Sequence, residues 1–125
     1  MLRIYLTSSS PGLDLLKAGA ELTGESAMQV KKKVSAGLPL LEVVPWQKNW
    51  HHVRNRLPGL VEDERFRFAE VYENGDEEDL TPIRLRNRLE HWRGIELETQ
   101  RDLDLEEGLI DDPEDFVPHD EDWSR

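Results

Sequence analysis

Carboxylates are the residues of this chain best placed to do chemistry. Residues 95–125 read IELETQRDLDLEEGLIDDPEDFVPHDEDWSR, with Arg101 and Arg125 as their only Lys or Arg. Residues 1–94 carry acids and bases in equal number, so the net charge of −11 belongs to the C-terminal stretch alone. A carboxylate becomes an acid–base catalyst when burial or a like charge shifts its pKa. These acids fall in turns and in polar sequence, where water keeps them ordinary. They are suited instead to complementary recognition of a basic surface. The apolar residues scattered among them would act as anchors. The expected partner-binding set is Leu109, Ile110, Asp111, Asp112, Glu114, Asp115, Phe116, Asp120, Glu121, Asp122 and Trp123.

Other candidates have plainer explanations. Lys31, Lys32 and Lys33 form the densest basic run, but at about 100° per residue three consecutive helical side chains fan around the axis. They read first as a solvated helix end whose charge suits the C-terminal dipole. Arg84, Arg86, Arg88 and Arg93, with Trp92 nearby, would serve an RNA strand by stacking and charge, although Trp92 falls on an apolar stripe. His51 and His52 are adjacent and lack the i, i+4 spacing of a helical zinc pair. Asp102-x-Asp104-x-Glu106 resembles the start of a calcium loop, but Glu107 stands where that loop needs Gly and Pro113 where it needs a bidentate Glu. There is no cysteine, and no glycine-rich phosphate loop or nucleophile elbow is visible. No catalytic residue, cofactor or metal is expected, and the chain is read as a non-enzyme.

The elements that must carry these residues follow from periodicity. Leu2, Ile4 and Leu6 alternate with polar residues as a half-buried strand. Ser8–Gly12 is a turn that supplies a cap, and Leu13, Leu16 and Ala20 begin a helix ended by Thr23-Gly24. Glu25-Ser26 caps a second helix carrying Ala27, Val30 and Val34, closed at Gly37. Residues 38–44 read as a second strand. Pro45 opens a third helix with Trp46, Trp50, Val53 and Leu57 on one stripe, stopped by Pro58-Gly59. Residues 65–72 form a strand with Phe66 and Phe68 on one face, and Glu73–Asp76 a turn. Thr81-Pro82 opens a last helix with Leu85, Leu89 and Trp92, ending at Gly94. The expected core is Leu2, Ile4, Leu6, Leu16, Val30, Val34, Leu41, Val43, Val53, Leu57, Phe66 and Phe68.

Leu15-Leu16-Lys17-Ala18, Thr23-Gly24, Val30-Lys31 and Val34, followed without a gap by Trp50, Val53, Leu57 and Leu60, carry a resemblance. Over residues 2–72 the chain resembles the C-terminal domain of the bacterial ribosomal stalk protein L7/L12. The resemblance implies a β-α-α-β-α-β fold and a partner surface on its first two helices at Lys17, Lys31 and Lys32. Two further cations of that surface are Ala20 and Met28 here, so the resemblance implies the stalk fold more than the stalk's recruitment of translational GTPases.

The sequence therefore predicts an α+β domain over residues 1–94, β-α-α-β-α-β with one extra helix, and an acidic segment over 95–125 that is docked or partly disordered. Its expected role is a protein-interaction module for a partner with a basic surface. Two other roles remain open: an acidic inhibitor or immunity-type protein blocking a basic nucleic-acid-binding target, and an RNA- or ribosome-associated accessory factor. Overall acidity opposes direct nucleic-acid binding. The N-terminal stretch lacks a signal-peptide pattern and no run is apolar enough for a membrane span, which points to the cytoplasm.

Overall fold

The computed structural model describes residues 1–48 and 50–125. Alternation in the first strand places Leu2, Ile4 and Leu6 on the buried face of β1 (Leu2–Leu6). The strand pairs antiparallel on one side with β2 (Leu41–Val43) and on the other with β3 (Phe66–Val71). A hairpin through Gly75, at φ 88°, adds β4 (Glu77–Asp79) and completes the order β2-β1-β3-β4. Cross-strand neighbours Leu2/Val43, Ile4/Phe68 and Leu6/Phe66 put one apolar face inward.

The opposite face is an ionic lattice. The Arg67 guanidinium lies 4.2 Å from the centre of the Tyr5 ring and bonds Asp79 at 2.7 Å. Glu77 accepts from Tyr5 at 2.6 Å and from Arg3 at 2.5 Å. These two bonds hold the Glu77 carboxyl below the ordinary range. The acidic triplet has poor β-propensity and pairs directly with Ala69, Glu70 and Val71; its offsetting bonds come from Arg3 and Tyr5, two strands away on β1, and from Arg67 on β3.

Helix α1 (Leu13–Thr23) ends at Gly24, which adopts φ 75° and donates to the Ala20 carbonyl. Its N-cap is Gly12 with no side-chain bond, so the serines supply no cap; Ser8 Oγ instead accepts from the Ser10 amide. Helix α2 (Ala27–Ser35) opens on a capping box between Ser26 and Gln29. The two helices meet at Gly19, where an added Cβ would lie 2.9 Å from Val30 Cγ1. The second strand is shorter than expected. The Leu38 amide closes α2 by bonding Lys33 O, and Pro39 has no amide to offer a ladder.

The expected third helix is two short ones, α3 (Trp50–Arg54) and α4 (Leu57–Leu60). Trp46 lies outside both, half exposed, because its positive φ of 63° is incompatible with a right-handed helix. Pro58 does not stop the chain: it occupies the first turn of α4, where a missing amide costs nothing. Helix α5 (Pro82–Glu106) is capped by Thr81, whose hydroxyl accepts from the Arg84 amide. It runs straight through Gly94, twelve residues past its expected end, so the 94/95 boundary falls inside a helix. The chain is thus an α+β protein with a four-stranded antiparallel sheet and five α-helices among the described residues.

Of the expected core, Val34, Leu41 and Val53 are only partly buried and pack on its margin. The core is enlarged by Leu40, Trp50, Val61, Leu85, Leu89, Trp92 and Trp123. No helix among the described residues is long and apolar enough to cross a membrane.

Gly94 is exposed and a Cβ there meets nothing within 4 Å. Replacing it with Ala removes the backbone entropy that glycine loses in a helix interior, so Gly94→Ala should stabilise the fold by about 0.5–1 kcal/mol. Urea denaturation checks this; a loss of stability would mean that Gly94 occupies a left-handed stop.

Candidate functional site

The second half of α5 carries a carboxylate buried among donors from three parts of the chain. Glu96 Oε2 accepts from Trp50 Nε1 at 3.1 Å and from Arg54 at 2.8 Å, both on α3. Its Oε1 accepts from Trp123 Nε1 at 2.6 Å and from Arg93, one turn earlier on α5, at 3.3 Å. Asp120 closes the circuit, accepting from Arg93 at 2.8 Å, Arg54 at 3.1 Å and Gln100 at 3.2 Å. The Trp50 ring stands edge-on to Trp92 and Trp123, with centroids 5.4 and 5.2 Å apart. Glu96, Arg54, Arg93 and Trp123 are all buried.

Charges buried this deeply are tolerable only when fully paired and hydrogen-bonded. Burial pushes the Glu96 carboxyl up, but bonds from Trp123 and Trp50 and the charge of Arg54 outweigh it, leaving it below the ordinary range. Asp120 behaves alike: burial raises it, and the bonds from Arg93 and Gln100 prevail and lower it. This constellation is a clasp that seats the C-terminal residues on α3 and α5. Both carboxylates are held ionised and fully engaged, which suits structure rather than proton transfer.

Between helix and clasp the chain makes a loop pinned at both ends. Gly108, at φ 73°, turns it out of α5, and the Leu109 amide bonds Asp104 O at 2.9 Å. Asp112 caps a single 3₁₀ turn at Pro113–Asp115 through the Glu114 amide. The His119 amide donates to Gln100 Oε1 at 3.0 Å, and its Nε2 sits 2.9 Å from the buried Asp104 carboxylate. Residues 106–117 contain Glu106, Glu107, Asp111, Asp112, Glu114 and Asp115 and no Lys, Arg or His. None of these six acids forms an ion pair among the described residues. Leu109 and Val117 stand well exposed beside them, while Ile110 and Phe116 are half-buried.

The expected partner-binding residues thus separate into two groups. Leu109, Ile110, Asp111, Asp112, Glu114, Asp115 and Phe116 lie together on the loop, and Glu121 is exposed just beyond it. Trp123 faces inward, and Asp120, at the exposed edge of the clasp, is engaged by Arg54, Arg93 and Gln100. Asp122 accepts from Ser124, lies 3.3 Å from Arg125 and borders Arg93 at 3.9 Å. Trp123, expected as an exposed anchor, is 7% exposed and part of the core.

The basic candidates do not converge. Arg84 pairs with Glu78, Arg88 with Glu70, and Arg93 is buried, so no cationic stripe runs along α5. Lys33 pairs with Glu25 and donates to Leu40 O. Lys17 is exposed on α1; Lys31 and Lys32 are exposed on α2 beside Met28, Ser35 and Ala36. Asp102, Asp104 and Glu106 belong to the last turns of α5, which cannot wrap a calcium ion. Among the described residues no three His, Asp or Glu gather as metal ligands.

Sequence reasoning missed Trp50, Arg54, Arg93 and Glu96 as one unit. The available signal was the i, i+3 spacing of Arg93 and Glu96 on a continuous helix, which an assumed stop at Gly94 hid. No protein-family model, curated protein or solved structure matches the chain.

The clasp yields two outcomes. Trp123→Ala should cost about 3–5 kcal/mol, the usual loss for a buried tryptophan, measured by denaturant unfolding. Glu96 and Asp120 have folded pKa values below their unfolded ones, so their contribution is fully present at neutral pH. It is lost as the pH falls through the depressed folded values. Acid titration of tryptophan fluorescence should show the wild type unfolding below the ordinary carboxylate range, and Glu96→Gln should be less stable at neutral pH with a flatter acid limb.

Proposed function

We propose that this protein is a non-catalytic interaction module that presents its acidic loop, residues 106–117, to a protein partner with a basic surface. The observation that carries this reading is the contrast in how acids are used. The sheet lattice and the clasp match carboxylates to cations, whereas Glu106 at the end of α5 and the five acids of the loop that follows are exposed with no cation among them, beside exposed Leu109 and Val117. Unpaired charge of one sign steers encounter with an oppositely charged surface, and the apolar side chains give contacts that slow dissociation. Pinning at Asp104, Gln100 and the clasp limits the loop's freedom, which lowers the entropy lost on binding.

The stalk-type fold of residues 2–72 belongs to the same proposal. It is supported by the order β1, α1, α2, β2, α3 with α4, and β3; β4 and α5 lie outside it. A cytoplasmic setting is also part of the proposal. A narrower role, an acidic inhibitor or immunity-type protein that occupies a basic nucleic-acid-binding site, rests on the dense row Asp111, Asp112, Glu114 and Asp115, whose charges would stand in for phosphates. An RNA-binding accessory role draws less support, because Arg84 and Arg88 are paired and Arg93 is buried.

Truncation at residue 94 is a poor test, since it cuts α5 and removes the clasp. The informative comparison is the full chain against a variant with Asp111→Asn, Asp112→Asn, Glu114→Gln and Asp115→Asn, both used as bait in a host lysate at low and moderate salt. Thermal stability should be nearly unchanged. Capture of the partner should weaken roughly tenfold at low salt, with the difference shrinking as salt screens the charges. Equal capture by both baits would sink the assignment and direct attention to Lys17, Lys31 and Lys32.

A further inference from the structure

We propose a second docking seat, separate from the acidic loop: an open groove between β3, β4 and the N-terminal end of α5 that takes a basic, apolar-anchored segment of a partner protein. The groove encloses about 560 Å³. Val61, Phe66 and Phe68 form its base and belong to the core, while Leu80 and Pro82 flank it. Ile83, next along the helix, is 73% exposed. An apolar base of this kind would bury well under an apolar side chain from outside, and a bound segment reaching past Pro82 would meet Ile83.

Its rim sets the sign of the occupant. Asp63 is engaged by Arg65 and Asp79 by Arg67. Glu62 and Glu64 also line the groove, both exposed and without a cationic partner among the described residues. Two free carboxylates on the turn beside the apolar trough, with the lining Arg67 already taken up by Asp79, match a segment in which Lys or Arg adjoins a large apolar side chain. Asp63 and Phe66 are shared with a neighbouring groove of about 600 Å³ that reaches Leu22 and Leu60 between α1 and α4. The trough is therefore long enough for a stretch of chain and too open to enclose a small molecule. Carboxylates at the rim repel phosphate, which argues against a nucleic-acid strand. A second copy of this chain is disfavoured too, since each copy carries a net −11 and its exposed loop is acidic.

The groove opens at the start of α5 and the acidic loop follows its end, about 37 Å along the helix axis. One short peptide cannot bridge the two, so each can be tested with the other present.

The test uses the isotopically labelled full chain, followed by amide NMR during titration with a synthetic peptide of Phe-Leu flanked on both sides by paired lysines. A control peptide carries Ser-Ser in place of Phe-Leu. The proposal expects saturable shifts at residues 61–68 and 80–83, and binding by the control at least about tenfold weaker, since only charge remains. Glu62→Lys with Glu64→Lys should remove most of the groove's response, and Ile83→Ser should weaken it several-fold. Both sites are exposed, so both variants should fold. Neutralising the acidic loop should leave the groove response in place. Shifts confined to residues 106–117, equal binding of the two peptides, or a groove response that survives the rim reversal would each overturn the proposal.

Discussion

The fold depends on a single buried carboxylate. Glu96 is placed by α5 where it meets α3 and the end of the chain, and its two oxygens take four donors from Trp50, Arg54, Arg93 and Trp123. An isolated charge in such a place would cost several kcal/mol, and each guanidinium would be as unwelcome alone. Together with Asp120 they neutralise one another and specify one arrangement, because guanidinium N–H groups divided between two carboxylates and indole donors are directional where apolar packing is not. The three tryptophans supply the apolar enclosure that keeps water from competing. Neither half suffices: Trp50 and Trp123 need the carboxylate to satisfy their indole N–H groups, and the carboxylate needs the rings to stay dry.

That arrangement decides what the rest of the acidic sequence can do. Once Asp120 and Trp123 are fixed against α3 and α5, residues 107–118 must close the distance from the end of α5 back to Gln100 and Asp104. The result is a loop and not a free tail. Its acids are left without partners because no cation occurs in it, and Arg54 and Arg93, which hold the returning chain at Asp120, are already engaged. The sheet shows the opposite outcome. Glu77 and Asp79 reach Arg3, Tyr5 and Arg67 across the sheet face, and the same residue types become a strand. Location relative to cations, more than acidity itself, separates structural carboxylates from free ones.

The same physics explains which parts were legible in the sequence. Local signals worked where the local chain makes the decision: alternation in β1, the left-handed stop at Gly24, the Ser26–Gln29 box and the paired phenylalanines of β3. They failed where a remote segment decides. Gly94 reads as a stop, yet Trp92, Arg93 and Glu96 around it are all buried against α3 and the C-terminus, and this packing outweighs about 1 kcal/mol of glycine penalty. Residues 77–79 have no strand signal because their stabilisation comes from Arg3, Tyr5 and Arg67. The end of the chain reads as uniformly acidic and interspersed with apolar residues. Nothing local distinguishes Trp123, which is core, from Leu109, which is exposed, since the distinction lies in Trp50 and Glu96.

The division of labour also constrains how such a module could work. A loop attached only by its own residues would lose conformational entropy on meeting a partner, roughly 1–2 kcal/mol for each residue ordered. Here part of that ordering occurs on folding, through the clasp at one end and α5 at the other. Under the proposed function the clasp would be coupled to binding through the loop: loosening it would return entropy to the free loop and weaken association without touching a contact residue. Glu96 and Asp120 are held below the ordinary carboxylate range, so the clasp stays ionised until the pH falls past that range. Once protonation of Glu96 and Asp120 loosens the clasp, association of the proposed loop with a basic partner should weaken without any change to a contact residue.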